Sequence, residues 1–194
     1  MPRPTTLDLA LDSYAWREVP MPGANLGFKL VRMDSTGETV AMLGRFPAGF
    51  ERHEPGGYVA SEEFLVLEGY LDLEGVRYRP GDLTLIPRRF LRTAMSAPEG
   101  CTVLAWFGGP AIWRPESELK DAATEGVESV SIAAAPAGYL LSAPEADWTK
   151  HNEDEPDAVP EGDAVDAALT QWWRTGLGAE PEFAVAAYVV REQH

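Results

Sequence analysis

The sequence predicts an all-β protein: an antiparallel barrel or sandwich followed by a C-terminal extension with one helix. Three observations predict it. From residue 26 to 108, short runs of strand-forming residues recur with turn signals between them. Glycine and proline punctuate these runs at close intervals, as in Pro47-Ala48-Gly49, Pro55-Gly56-Gly57 and Pro80-Gly81. A helical apolar period is read at only one place, beyond residue 160.

Residues 1–25 read as an arm leading into the barrel. Met1 to Thr6 is proline-rich, and Trp16 with Pro20-Met21-Pro22-Gly23 suggests an ordered turn. The barrel, 26–108, starts with a strand from Leu26 to Met33, a turn at Asp34-Ser-Thr-Gly37 and a strand from Glu38 to Phe46. After the loop carrying Glu51 and His53 come Glu63 to Leu67 and Tyr70 to Leu73, flanking Gly69. Val76 to Arg79, Leu83 to Ile86, Phe90 to Ala94 and Thr102 to Trp106 complete the set. The extension, 109–194, reads as strands at Val127 to Ile132 and Phe183 to Val190. Between them lies an acidic loop, Asn152 to Asp163, with six carboxylates. Asp163 then reads as a helix N-cap. Val165, Ala168, Leu169 and Trp172 form the apolar stripe, and Gly176 ends it. The late strands are expected to extend the barrel sheets or a dimer interface, with helix and acidic loop covering one end.

Composition narrows the partners. Sixteen Lys and Arg stand against 31 Asp and Glu, for a net charge of −15. A nucleic-acid phosphate backbone needs a basic face, so the charge argues against nucleic acid as a partner. It argues against anionic membranes for the same reason. No apolar run is long enough to span a bilayer, and the N-terminus lacks a signal-like apolar core. The expected location is cytoplasmic. The single cysteine, Cys101, rules out an intrachain disulfide framework. In the apolar run Cys101 to Trp106 it reads as a small buried hydrophobe.

The chemistry concentrates in Phe50 to Gly69, FERHEPGGYVASEEFLVLEG. Glu51, His53, Glu62 and Glu63 lie near the ends of neighbouring strands, where side chains can converge. Glu62, six intervening residues and Gly69 resemble the end of the first cupin motif, which begins with two histidines one residue apart. His53 stands at the second histidine position and Glu51 at the first. Gly81-Asp-Leu-Thr-Leu-Ile-Pro87 resembles the second cupin motif, with Arg92 where its histidine is expected. Trp16, Pro22-Gly23, Lys29-Leu30, Asp34, Thr36-Gly37, RFPAG at 45–49, VLEG at 66–69 and EGC at 99–101 resemble the cupin sensor domain of zinc anti-sigma factors. The resemblance covers about residues 16–108. It implies a double-stranded β-helix, or jelly-roll, barrel and a homodimer.

Cupins typically hold a divalent metal on three histidines and a glutamate. Here the remaining histidines, His151 and His194, lie outside the motifs. Arg92 puts a permanent cation where a neutral ligand belongs, and could pair with Glu62 or Glu51. The favoured site therefore has no metal and no other cofactor. Glu51 and Glu62 hold His53 as a general acid/base, and Arg92 holds a substrate anion. This suits proton transfer on a small organic molecule, anionic or aromatic: an isomerase, lyase or cyclase. Tyr58, Phe64, Tyr78, Phe90 and Trp106 could wall the cavity. One alternative is a non-catalytic small-molecule binding or sensor cupin, with the cluster kept as a buried ion-pair network. A second is a dioxygenase-like enzyme with Fe, Zn, Mn or Ni on Glu51, His53 and Glu62, which His151 could join. Strand alternation puts one of Glu62 and Glu63 inside, and motif spacing favours Glu62.

Overall fold

The computed structural model describes residues 6–9, 14–35, 40–152, 162–174 and 187–194. The acidic stretch 153–161, Gly176 and residues 183–186 of the expected late strand lie outside these. The chain divides into two compact units, Tyr14–Ser129 and Met1–Ser13 with Val130–His194.

A seven-stranded antiparallel sheet, which holds the first unit's strands and has the boundary strand Glu128–Ser131 at its edge, runs in the order Glu128–Ser131, Asp82–Ile86, Glu62–Gly69, Cys101–Phe107, Val40–Phe46, Phe28–Ser35, Arg17–Val19. A four-stranded sheet runs Phe50–Arg52, Met95–Ala97, Leu71–Leu73, Val76–Tyr78. A ribbon pairs Trp113–Pro115 with Gly56–Tyr58. Strand alternation builds the interior. Phe64 and Val66 share one face of their strand, and Val103, Ala105 and Phe107 share one face of theirs. Together with Phe46, Phe50, Leu71, Tyr78 and Met95 they form the buried core of the barrel. Truncating a buried aromatic such as Phe50 to alanine costs about 3–5 kcal/mol. The Cys101–Phe107 strand is buried along its whole length, hence an apolar run interrupted only by Thr102.

The motif glycine at 69 is required by geometry. Its φ is +71°, and a Cβ there would collide with the Gly100 carbonyl oxygen. One expected strand is displaced: Phe90 to Ala94 is not a strand, and the pairing segment is Met95–Ala97. Phe90 and Arg92 make isolated bridges, Arg92 donating its N–H to the Gly56 carbonyl at 2.7 Å.

The second unit is a six-stranded antiparallel sheet in the order Thr6–Asp8, Gln171–Arg174, Gly162–Asp166, Ala187–Gln193, Ala146–Asn152, Gly138–Ala143. The later of the expected late strands thus belongs to this sheet and adds to none of the barrel sheets. The expected helix from Asp163 is absent: 162–166 and 171–174 are the two strands of a hairpin. Asp166 organises the turn. Its carboxylate accepts from the Thr170 and Gln171 N–H groups at 2.7 and 2.6 Å and from the Thr170 hydroxyl at 2.8 Å. Leu169 sits at φ +61°, which no helix tolerates. Asp163 pairs with Arg174 at 2.7 Å. Among the described residues no helix is long and apolar enough to cross a membrane.

Candidate functional site

The short strand Phe50–Arg52 decides the site. Phe50 is an apolar ring in the barrel core, so the strand's period of two turns Arg52 inward as well. Glu51 and His53 face out. Their side chains are 52% and 75% exposed and bond only to each other in the described network, Nε2 to Oε2 at 2.9 Å. Asn25 fixes this register: its Oδ1 accepts the Glu51 N–H at 2.8 Å, and its Nδ2 donates to the Gly49 carbonyl at 2.9 Å. The expected convergence of Glu51 and His53 with Glu62 and Arg92 therefore does not occur. The histidine positions of the resemblance fall on the outward phase of the strand.

Glu62 opens the next motif strand and shares the inward face with Phe64 and Val66. Glu63, fully buried, has the opposite phase. Arg92 donates from Nη2 to Glu62 Oε2 at 2.5 Å, with the two side chains 4% and 13% exposed. This is a charge-assisted bond inside the barrel.

Arg52, 1% exposed, completes the cluster. Its guanidinium carbon lies 3.8 Å from the Trp113 ring centre and 5.8 Å from that of Tyr58. The Arg92 guanidinium lies 4.9 Å from the same Tyr58 ring. Tyr58 in turn meets Phe107 and Trp113 edge-on, at 5.0 and 5.2 Å between centres. None of Arg52 Nε, Nη1 and Nη2 has a hydrogen-bond partner, nor does Arg92 Nε. Burial pushes the Arg52 pKa down. The Tyr58 hydroxyl opposes this without reaching hydrogen-bond geometry, and the like charge of Arg92 adds to it. Arginine keeps its proton regardless.

These groups share a cavity of about 300 Å³, otherwise walled by Phe28, Met42, Phe46, Val103, Phe107 and Trp113 among others. Of the aromatics singled out in the sequence, Tyr58 lines it. Phe64 and Tyr78 instead form an edge-to-face pair at 5.3 Å in the core, where Phe90 is also buried. Trp106 is buried on the opposite phase of its strand from Ala105 and Phe107. The two largest contributors that sequence reasoning missed are Arg52 and Trp113. The apolar residue at 50 was the available signal for Arg52. Trp113 had none, because its pairing with Tyr58 is a long-range contact.

The donor set does not fit the metal that cupins usually hold. Among the described residues no three His, Cys, Asp or Glu side chains are grouped to bind an ion. Glu62 is already committed to Arg92, and two guanidinium groups would repel an added cation. The ligand set Glu51, His53 and Glu62 is not assembled. His151 belongs to the second unit, where Thr149 Oγ1 lies 2.9 Å from its Nε2 and its ring stacks on Tyr188.

The barrel is the cupin fold. A protein from Nostoc punctiforme proposed to be a dioxygenase overlays on 100% of this chain and 81% of its own, with a TM-score of 0.58 and 11% identity. A proposed acetylacetone dioxygenase from Methylibium petroleiphilum covers 61% of this chain and 85% of its own, at TM-score 0.47 and 14% identity. The complex of SigE with the anti-sigma ChrR from Rhodobacter sphaeroides covers 50% of this chain and 51% of the matched chain, at TM-score 0.42 and 24% identity. No family model and no curated protein matches the sequence. At 11% identity the likeness to the Nostoc punctiforme protein establishes the fold alone, and function rests on the site.

Proposed function

We propose that this chain is a small-molecule-binding cupin that holds an organic ligand inside its barrel. One observation carries the reading: Arg52, Tyr58, Glu62 and Arg92 converge on an otherwise apolar cavity, the usual composition of a ligand site. With Glu51 and His53 outside, a binding or sensor role fits the cavity better than the general acid/base pair expected from sequence.

A second reading has its own support. Glu62 and Tyr58 line the cavity and could accept and donate a proton, as an isomerase, lyase or cyclase requires. Calorimetry against a panel of small organic compounds, followed by product analysis of every binder, separates the two. Binding without turnover supports the first. Turnover abolished in Glu62→Gln with binding retained supports the second.

The dioxygenase alternative draws on the names of the structural neighbours and requires Fe or another divalent metal. The donor set argues against it. Elemental analysis of protein purified without chelator tests this, and near-stoichiometric metal lost in Glu62→Gln would reinstate it. A cytoplasmic homodimer belongs to the same proposal, and sedimentation at micromolar concentration checks the dimer.

A further inference from the structure

We infer that the ligand is an organic monocarboxylate with an apolar body, its carboxylate received by Arg52. This rests on the binding reading above and adds the ligand's charge and shape. A guanidinium cannot shed its proton, so Arg52 is a permanent cation buried in the wall of the cavity. Its face is covered by Trp113, which leaves the N–H groups along its edge. All three of its nitrogens lack partners, and buried donors are normally satisfied. The edge of a guanidinium is a planar fork that matches the two oxygens of a carboxylate.

Charge balance sets the valence. Arg52 and Arg92 bring two positive charges and Glu62 one negative, all lining the cavity. One further negative charge neutralises the set, whereas a dianion leaves an excess. Arg92 Nε, also unpartnered, offers a further donor. The remaining walls, with Phe28, Met42, Phe46 and Val103, are apolar and select a hydrocarbon or aromatic body. The cavity is small, which limits the ligand to a compact acid. Because the whole chain carries −15, its surface gives anions no general attraction, so anion affinity reports the cavity.

The probes are benzoate and hexanoate, their neutral amides and the dianion phthalate, measured by calorimetry on the full chain. Benzoate or hexanoate is expected to bind at least about tenfold more tightly than the matching amide or phthalate. Arg52→Gln is expected to weaken the carboxylate about thirtyfold, leaving the amide unchanged. Far-UV circular dichroism checks the fold. Arg52→Lys keeps the charge without the fork and should fall between, so the test survives if Arg52→Gln does not fold. Amides binding as well as carboxylates, or carboxylate affinity indifferent to Arg52, overturns the ligand class while binding in the cavity stands. Tighter phthalate overturns the single-charge assignment. If none of these compounds binds, the cavity reading falls and the ligand class with it.

Discussion

The guanidinium carbon of Arg52 lies 3.8 Å from the ring centre of Trp113, with no hydrogen bond to any of its nitrogens. The stacking contributes about 0.5–2 kcal/mol. Burying a charged donor set without partners costs about 1–3 kcal/mol or more. The second effect is the larger, so burial of this guanidinium is net unfavourable for the fold. Arg52→Met should therefore raise the stability of ligand-free protein by about 1 kcal/mol while weakening carboxylate binding at least about thirtyfold. Urea unfolding checks it. A loss of several kcal/mol instead would mean that the guanidinium is better satisfied than its geometry indicates.

The Arg92–Glu62 bond predicts the opposite sign. Glu62→Gln leaves Arg92 buried without its counter-charge and should destabilise by about 3 kcal/mol. Arg92→Gln strands Glu62, which is less buried, and should cost less. The double substitution should recover much of the loss, because uncompensated charge is the main penalty. Additive losses in the double-mutant cycle would refute the pairing.

Glu51→Ala and His53→Ala should change stability by less than about 0.5 kcal/mol, since their ion pair is exposed. Neither should alter carboxylate affinity. Loss of binding in either, with the fold intact, would return the catalytic histidine to the cavity.

Alkali should expose Cys101. Burial pushes its thiol up to about 12, with the Glu68 charge adding to the shift. The unfolded thiol ionises near 9, so the folded state holds the extra proton above that pH. Stability is full below pH 9 and then falls by up to about 1.4 kcal/mol per pH unit until the folded thiol itself titrates. Tyr78, raised mainly by burial, adds to the fall above its ordinary value of 10. Urea midpoints at pH 8, 9 and 10 should show a slope that Cys101→Ala flattens. Thiol reagents at pH 8 should react only on unfolding.

Strand alternation and turn glycines made the barrel legible, and they did so because both are local. Gly69 announced its positive φ in a strand-ending Glu-Gly pair. The helix from Asp163 was misread for an instructive reason. Val165 and Trp172, seven apart, mark one face of a helix, yet here they are partners across a hairpin, as are Ala164 and Trp173. The Asp166 side chain closing the turn was the competing local signal. At the site, Glu62 and Arg92 were legible from motif spacing. Arg52 was hidden by a one-residue phase error, which in a strand reverses every side chain. The buried ring of Phe50 corrects it.

A cationic pocket inside a chain of net charge −15 has a kinetic signature. At long range an approaching carboxylate meets repulsion from the acidic exterior, and attraction begins only close to the guanidinium groups. Dissolved salt screens the first over about 10 Å and hardly reaches the second. The association rate should consequently climb as ionic strength rises, the reverse of ordinary charge-steered capture, while the dissociation rate stays nearly constant.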